Sequence, residues 1–352
     1  MSICTPARAS LMTGRYPIRY GLQYNVIQPG SPWALPLTEK IMPEYMKDAG
    51  YESHMVGKWH LGSYRTPYTP YRRGFETYLG YLNDKEMYWT HQPYTVHLDG
   101  RKFFDFGFGN ATDYYDIIDR TEAPLPPAPN SDDASDGTDD FSTGPTSSSL
   151  SSSISFKGKY STTVFQERAM EVIKDKTPYD EEPLFLYLAH QAVHDPLGLP
   201  PSDVFTAEDW AVLDALEEKT GSTLRVRFAK VLMTLLDKKP SGSCDLMGRV
   251  GGGKLGSALA KATQRGGPRS GQQLPSPGPK NPTGGSVPVP ALVYSKSHIP
   301  EEAWGTEYAK MMHVTDWLPT LASAVDMELT GSYGDFDGVD HWATFYQPPS
   351  GG

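Results

Sequence analysis

The first residues whose types and spacing suit chemistry lie at the start of the chain. Cys4 stands directly before a predicted helix, in which Thr5 can cap the N terminus and Pro6 suits the first position. Gly14 can end this helix. Because backbone N–H groups and the dipole at a helix N terminus favour an anion, Cys4 and Arg8, one turn further on, are placed to face the same anion. The alternative is an isolated thiol near a frayed chain end.

A second candidate pair follows a predicted strand. Residues 51–57 alternate in polarity and stop at Gly57. Because side chains alternate along a strand, we expect Lys58 and His60 on the same side. A cation and an imidazole held together suit an anionic substrate, and a surface lysine with a turn histidine is the alternative.

Two histidines follow a further predicted strand. Residues 161–174 have helical periodicity, and the continuous apolar run 183–189 is typical of a buried parallel strand. Its end delivers His190, Gln191 and His194, and ligands of open α/β sheets bind at that end. The alternation of helices and strands predicts an α/β fold with a mainly parallel central sheet flanked by helices.

Composition excludes some classes of function. The chain has 352 residues and a formal net charge of −10, which argues against non-specific nucleic-acid binding. It has no run of 18 apolar residues, so we expect no membrane span. Because no basic segment precedes an apolar stretch at the start, we also expect that these first residues are not a signal peptide. Cys4 and Cys244 are its only cysteines, which excludes a disulfide framework. Asn110 begins a glycosylation sequon.

Composition also divides the chain into segments. Two of them are too poor in apolar residues to offset their ordering entropy, one rich in Asp, Ser and Thr and one rich in Gly and Pro. The predicted organisation is residues 1–125, a disordered insertion over 126–157, residues 158–237, a low-complexity segment over 238–289, and residues 290–345.

Other helices have weaker patterns. They are predicted over residues 37–50, 207–237 and 315–325. In the last of these, Trp317 and Leu321 are expected in the helix core, and His313 just before it is expected to be a buried histidine.

The motifs resemble those of a known family. Cys-x-Pro-x-Arg from Cys4, followed by Leu-x-Thr-Gly-Arg, is similar to the first sulfatase signature. Residues 57–62 resemble the second signature, and residues 186–197 resemble a strand end of arylsulfatase B (N-acetylgalactosamine-4-sulfatase) and its relatives. Segments 312–321 and 337–342 resemble later scaffold of the family. The resemblance implies the sulfatase fold, which is alkaline phosphatase-like.

The resemblance also implies roles for the candidate residues. Cys4 would be oxidised to formylglycine, whose hydrate attacks the sulfur of a sulfate ester and later releases sulfate. Lys58 and His194 would contact the sulfate, and His194 would give a proton to the leaving alcohol. His60 would help to deprotonate the hydrate. Arg8 and Lys58 would offset the charge on the sulfuryl group.

The same resemblance implies cofactor, partners and location. A divalent metal, usually calcium, would polarise the sulfate. The partners would be the formylglycine-generating enzyme and a sulfated small molecule or glycosaminoglycan. The location would be lysosomal or secreted, whereas the chain shows no signal peptide. His190 has no counterpart in the family and is interpreted as structural.

The chain departs from the family at the metal site, which needs several carboxylates. The family has an Asp-Asp pair well before the cysteine motif and an Asp-Asn-Gly strand end before Met312, but three residues precede Cys4 and segment 238–289 occupies the second place. We therefore expect an incomplete fold, with a truncated N terminus, a missing first strand and an aberrant 238–289 segment. The aspartate pairs at 132–133 and 139–140 fall in the predicted insertion and are rejected as ligands. No metal ligand is identified apart from Cys4 as formylglycine.

Three hypotheses follow. The leading one is a sulfatase that cleaves sulfate esters, in sulfated sugars above all. A phosphatase or phosphodiesterase of the related fold would use Ser or Thr as nucleophile, and Cys4 with Pro6 and Arg8 argues against it. The third hypothesis is an inactive sulfatase-like protein that binds sulfated glycans.

Overall fold

A computed structural model describes the protein over residues 3–94, 106–110, 114–116, 156, 158–176, 182–236, 291–293, 299–300, 308, 310–329 and 336–345. The chain divides into two compact units, a larger one of residues 26–237 and a smaller one of residues 1–25 with 238–352. The predicted segment 238–289 lies outside the described residues, as does the predicted insertion 126–157 apart from Phe156.

The larger unit contains a sheet of five described strands. They are β1 (Glu52–Lys58), β2 (Thr77–Tyr81), β3 (Phe106–Asn110), β4 (Tyr114–Asp116) and β5 (Leu184–Ala189). The order is β4-β3-β2-β1-β5, in which β1 pairs in parallel with β2 and β5, and β3 pairs antiparallel with β2 and β4. The α/β class is confirmed. The described sheet is mixed, because β3 and β4 add antiparallel pairs that the polarity pattern did not predict.

The predicted helix after the insertion packs on this sheet as α3 (Ser161–Asp175). Its buried residues recur at helical spacing, and Phe165 stacks on Phe106 with the ring centroids 6.1 Å apart. Each such side chain stabilises the fold by about 1.5–3 kcal/mol when it is fully buried. The cluster that joins helix and sheet comprises Val56, Leu79, Tyr81, Phe106, Val164 and Phe165.

A second cluster supports the segment after β5. Tyr88, Tyr160 and Val231 are buried together, and the partly buried Val193 and Leu197 pack against them. The two tyrosine rings stack with centroids 5.3 Å apart. Burial raises the pKa of the Tyr160 hydroxyl to about 12 and raises the pKa of Tyr88 as well, so both rings stay neutral.

Two helix predictions need correction in the larger unit. The helix predicted over 37–50 is shorter, α2 (Met42–Asp48), because Pro43 suits only a first turn and the Glu44 carboxylate accepts a hydrogen bond from the backbone N–H of Ile41 at 2.8 Å. The helix predicted over 207–237 is two helices, α4 (Ala207–Thr220) and α5 (Thr223–Leu236). Gly221 separates them with a left-handed backbone, φ 59°.

The smaller unit contains α1 (Cys4–Thr13) and α6 (Trp317–Ala324), which contact each other. The prediction for the α6 core was wrong: Leu318 and Ala322 are buried, whereas Trp317 and Leu321 are half-buried. His313 is exposed and not buried, because it precedes the helix, where its Nδ1 lies 2.8 Å from the Thr315 hydroxyl.

Candidate active site

Cys4 is the first residue of α1 in the smaller unit. The N-cap is Ile3, with extended backbone and no side-chain hydrogen bond, so the predicted cap at Thr5 is wrong because Thr5 already lies in the first turn, where it is buried. Cys4 and Arg8 are both half-buried. Residues four apart lie on the same face of a helix, so the two side chains share the face at which the helix N terminus favours an anion.

Lys58 is the last residue of β1 in the larger unit. Its side chain is 2% exposed, and its Nζ donates a hydrogen bond to the backbone carbonyl of Asp84. A buried ammonium is costly unless other groups compensate its charge, and its attraction for an anion is stronger than in water. This lysine therefore suits the binding of an anionic group.

His60 continues from the same strand and is buried. The backbone N–H groups of Trp59 and His60 donate to Tyr81 and Leu82, each at 3.0 Å, which extends the β1–β2 pairing. His60 has a left-handed backbone, φ 59°. The alternation of side chains along β1 therefore ends at Lys58 and does not determine the direction of the His60 side chain. Its Nε2 donates to the Ile27 carbonyl at 2.9 Å, so Nε2 carries the hydrogen and Nδ1 is the basic nitrogen of the neutral ring.

His194 lies in the turn after β5 and is partly buried. Its Nδ1 donates to the Asp195 carbonyl at 2.7 Å, which makes Nε2 the nitrogen that can exchange a proton with another group. The Asp195 carboxylate lies 3.3 Å from the same Nδ1 and 2.8 Å from Lys85 Nζ. The hydrogen bond from Lys85 lowers the pKa of Asp195. Tyr88 donates to the His194 carbonyl at 3.0 Å, which fixes the turn.

The sheet brings these residues of the larger unit to one edge. Gly57 pairs with Ala189 across the parallel strands β1 and β5, so Lys58 and His190 follow at the same level. Gln191 anchors the turn: it accepts a hydrogen bond from Ser161 Oγ at 2.7 Å and donates to the Glu86 carbonyl. Ligands of such sheets bind at the carboxyl ends of strands.

Sequence reasoning missed the lysine that holds this turn. Lys85 and Asp195 are 110 residues apart in sequence, and no local pattern links them. Asp195 lies in the segment 186–197, to which the sequence assigned a role only for His194. The structure therefore adds an ion pair beside the predicted histidine.

His190 is a half-buried histidine at the same edge, and its Nδ1 atom is buried. Its ring centroid lies 6.4 Å from that of Phe165, and among the described residues its Nδ1 has no hydrogen-bond partner. Burial lowers the pKa of this imidazole from 6.5 to about 4. The ring is therefore neutral near pH 7, which agrees with its interpretation as structural.

Replacing His190 with leucine is expected to flatten the dependence of stability on pH. The unfolded chain protonates this histidine below pH 6.5 and the folded chain only near pH 4, so the wild type loses stability as the pH falls through that interval. Its free energy of unfolding should fall relative to that of His190→Leu by about 3 kcal/mol. Urea unfolding of both proteins at several pH values measures this difference. Parallel pH curves would show that folding does not lower the pKa of His190.

The described residues do not supply a metal site. Within the ranges that the structure describes, no three side chains of His, Cys, Asp or Glu come together in a way that could hold a metal ion. Calcium takes six to eight oxygen ligands, so this donor set does not fit the calcium expected by resemblance, and no chemical step is assigned to a metal. None of the helices in the described part of the chain is both long and apolar enough to cross a membrane.

The fold and the strand-end residues define an α/β protein with a cation and imidazoles at one sheet edge. The model of the sulfatase family matches residues 1–229. The chain belongs to the sulfatase family.

Individual relatives agree with this. Arylsulfatase J of Mus musculus is 30% identical over 344 residues, which are 97% of this chain and 48% of the relative. Arylsulfatase A of Homo sapiens is 43% identical over 81 residues, 23% of this chain and 16% of the relative. The chain thus spans about half the length of arylsulfatase J, and its match to arylsulfatase A covers a smaller share of that relative. These similarities do not single out the arylsulfatase B type.

A solved structure shares the fold. The crystal structure of Ps i-CgsB in complex with k-i-k-neocarrahexaose has a TM-score of 0.57 and 19% sequence identity, and the match covers 97% of this chain and 65% of that one. At this identity the likeness shows the fold alone, which confirms the sulfatase type of α/β fold.

Proposed function

We propose that the protein hydrolyses sulfate esters of sugars, with Cys4 in its formylglycine form as the nucleophile. One observation carries the proposal: in a chain of the sulfatase family, the parallel strands β1 and β5 lead the buried Lys58 and His60 and the partly buried His194 to one edge of the sheet. A buried cation with two imidazoles suits a reaction that binds an anion and moves protons.

The tautomers suggest which atoms move the protons. When present, formylglycine supplies a hydrated aldehyde whose hydroxyl attacks sulfur. His60 holds its hydrogen on Nε2, so Nδ1 would accept the proton that this hydroxyl loses. His194 holds Nδ1–H on the Asp195 carbonyl, so protonated Nε2 would give its proton to the leaving alcohol.

Two cations would balance the charge of the substrate. Lys58 and Arg8 are assigned to the negatively charged sulfuryl oxygens. For Lys58 the support is its burial at the strand end; for Arg8 it is the position one turn after Cys4 on α1. Calcium, which the family generally uses, would need further ligands from outside the described ranges, because no three described side chains of His, Cys, Asp or Glu converge.

The substrate class and the cellular setting are proposals as well. Sulfated sugars fit the family and the oligosaccharide bound in the similar crystal structure. A sulfated N-acetylgalactosamine, the substrate of the arylsulfatase B type, remains our prediction within that class. The formylglycine-generating enzyme would modify Cys4 in the secretory route to the lysosome or the exterior. Asn110, the last residue of β3, would be glycosylated there.

Turnover of a chromogenic aryl sulfate, with and without calcium, tests the function. His194→Ala should lower kcat by about a hundredfold, since general acid catalysis contributes that much or more. The loss should be larger for an alkyl sulfate, whose alcohol needs the proton more. Protein for the assay should come from a secretory host that makes the formylglycine-generating enzyme. No turnover by the wild type under both conditions, or equal turnover by His194→Ala, would contradict the proposal.

A further inference from the structure

Three aromatic residues lie on two adjoining segments of the larger unit, one of which continues from the end of β1. Trp33 is 63% exposed and Tyr64 is 39% exposed, and Tyr68 is half-buried. These three residues are called the aromatic patch. None of them has a role in the chemistry proposed above.

Tyr64 and Tyr68 of the patch follow His60 in the chain, and the segment of Trp33 contacts the same region. The backbone N–H of Leu35 donates to the Leu61 carbonyl at 2.9 Å. A Cβ added at Gly62 would lie 2.2 Å from the Cβ of Ala34, so the segment that carries Trp33 touches the segment that carries Tyr64. Gly62 is two residues from His60, which limits the distance between their Cα atoms to about 7.6 Å.

The two tyrosines of the patch are also held in place. The buried indole of Trp59 donates to the carbonyls of Gly62 and Tyr68, each at 3.0 Å. The rings of Tyr64 and Tyr68 stack at 4.8 Å with an interplanar angle of 26°. A surface fixed in this way loses little conformational entropy when it binds a ligand.

The chemistry of the patch fits a sulfated glycan. The faces of aromatic rings have partial negative charge, so they attract the polarised C–H groups on the faces of sugar rings. Arg65 is exposed, and its guanidinium carbon lies 5.8 Å from the centroid of the Tyr64 ring, where it can meet a sulfate. The exposed rings therefore complement the sugar ring of a sulfated glycan, and the neighbouring cation complements its sulfate.

We propose that the aromatic patch binds a sugar unit adjacent to the one whose sulfate is removed, with Arg65 at a sulfate of that neighbouring unit. This inference rests on the proposed function, because it takes the substrate to be a sulfated oligosaccharide. It makes the protein selective for sulfated chains over single sulfated sugars.

Binding of a chondroitin sulfate hexasaccharide, measured by titration calorimetry, tests the inference. The full chain should carry Cys4→Ala, which prevents turnover. Trp33→Ala and Tyr64→Ala are each expected to weaken binding about tenfold. Phe228→Ala on α5, which removes another exposed ring of the same unit, should leave the affinity unchanged. Equal affinity for all four proteins would overturn the inference, as would a parent chain that binds no hexasaccharide.

Two further arms separate stacking from charge and from misfolding. Arg65→Gln should weaken binding of the sulfated hexasaccharide and not of its desulfated form, whereas the ring variants should weaken both. Trp33→Tyr should recover part of the lost affinity at unchanged thermal stability. Equal losses for the hexasaccharide and for N-acetylgalactosamine 4-sulfate would place the effect at the sulfate site and overturn the inference.

The outcome can be told apart from that of the proposed function. Wild-type turnover of an aryl sulfate does not require a neighbouring sugar. If the wild type turns over the aryl sulfate and the ring variants bind the hexasaccharide normally, only the patch is rejected. If the wild type does not turn over the aryl sulfate and the ring variants lose binding, the hydrolytic function is rejected and the patch is retained only as a surface that binds glycans.

Discussion

Replacing Cys4 with alanine is expected to abolish sulfate ester hydrolysis, with kcat reduced at least about ten-thousandfold. The side chain of Cys4 is the source of the aldehyde, and Cys4 is the only cysteine of α1. The hydrated aldehyde is the nucleophile, so its loss removes covalent catalysis and leaves only binding and charge stabilisation. The measurement is kcat with a chromogenic aryl sulfate under saturating substrate.

The chain offers a matched control for this variant. Cys244 is its only other cysteine, and Cys244→Ala should keep the full rate, since no chemistry is assigned to that thiol. Arg8→Ala, which removes one cation and keeps the nucleophile, should show a smaller loss than Cys4→Ala. Turnover retained in Cys4→Ala would exclude the formylglycine mechanism.

Gly57→Ala is expected to destabilise the larger unit by about 4 kcal/mol, in the range that marks a severe steric defect. Gly57 has φ +107°, and a Cβ there would lie 2.0 Å from the carbonyl oxygen of Ala189 on β5. Relief would require β1 and β5 to separate at the level from which Lys58 and His190 follow. Urea unfolding should show a lower midpoint with an unchanged slope.

Gly50→Ala isolates the backbone contribution to this effect. Gly50 also has a positive φ, +82°, but a Cβ there would meet nothing within 4 Å. Its cost should therefore be only the left-handed backbone penalty of about 1 kcal/mol. Equal destabilisation by both variants would mean that the close approach of Ala189 contributes nothing, which would contradict the strand geometry at the site.

The elements that carry the site were predictable because their signals are local. The polarity of residues 51–57 predicted β1 (Glu52–Lys58), and the apolar run 183–189 predicted β5 (Leu184–Ala189). The positions of Lys58 and His194 at strand ends follow directly from these two assignments. Helix α3 (Ser161–Asp175) was predicted from its periodicity to within a residue.

Other features depend on contacts that the sequence does not reveal. The Lys85–Asp195 ion pair joins residues far apart in the chain, and no local pattern predicts the left-handed backbone of His60. Gly57 was predicted to end a strand but lies inside one, since its missing side chain makes room for Ala189. The antiparallel strand β3 has glycine at alternate positions, a composition that weakens the strand signal.

The most direct test of the central claim is mass spectrometry of the peptide that contains Cys4. The protein should be produced with the formylglycine-generating enzyme and assayed for aryl sulfate turnover in the same preparation. We predict a peptide with the mass of an aldehyde in place of the thiol, in a fraction that rises with specific activity. A peptide with unmodified Cys4 throughout, or turnover that does not follow the modified fraction, would contradict a sulfatase that acts through this residue.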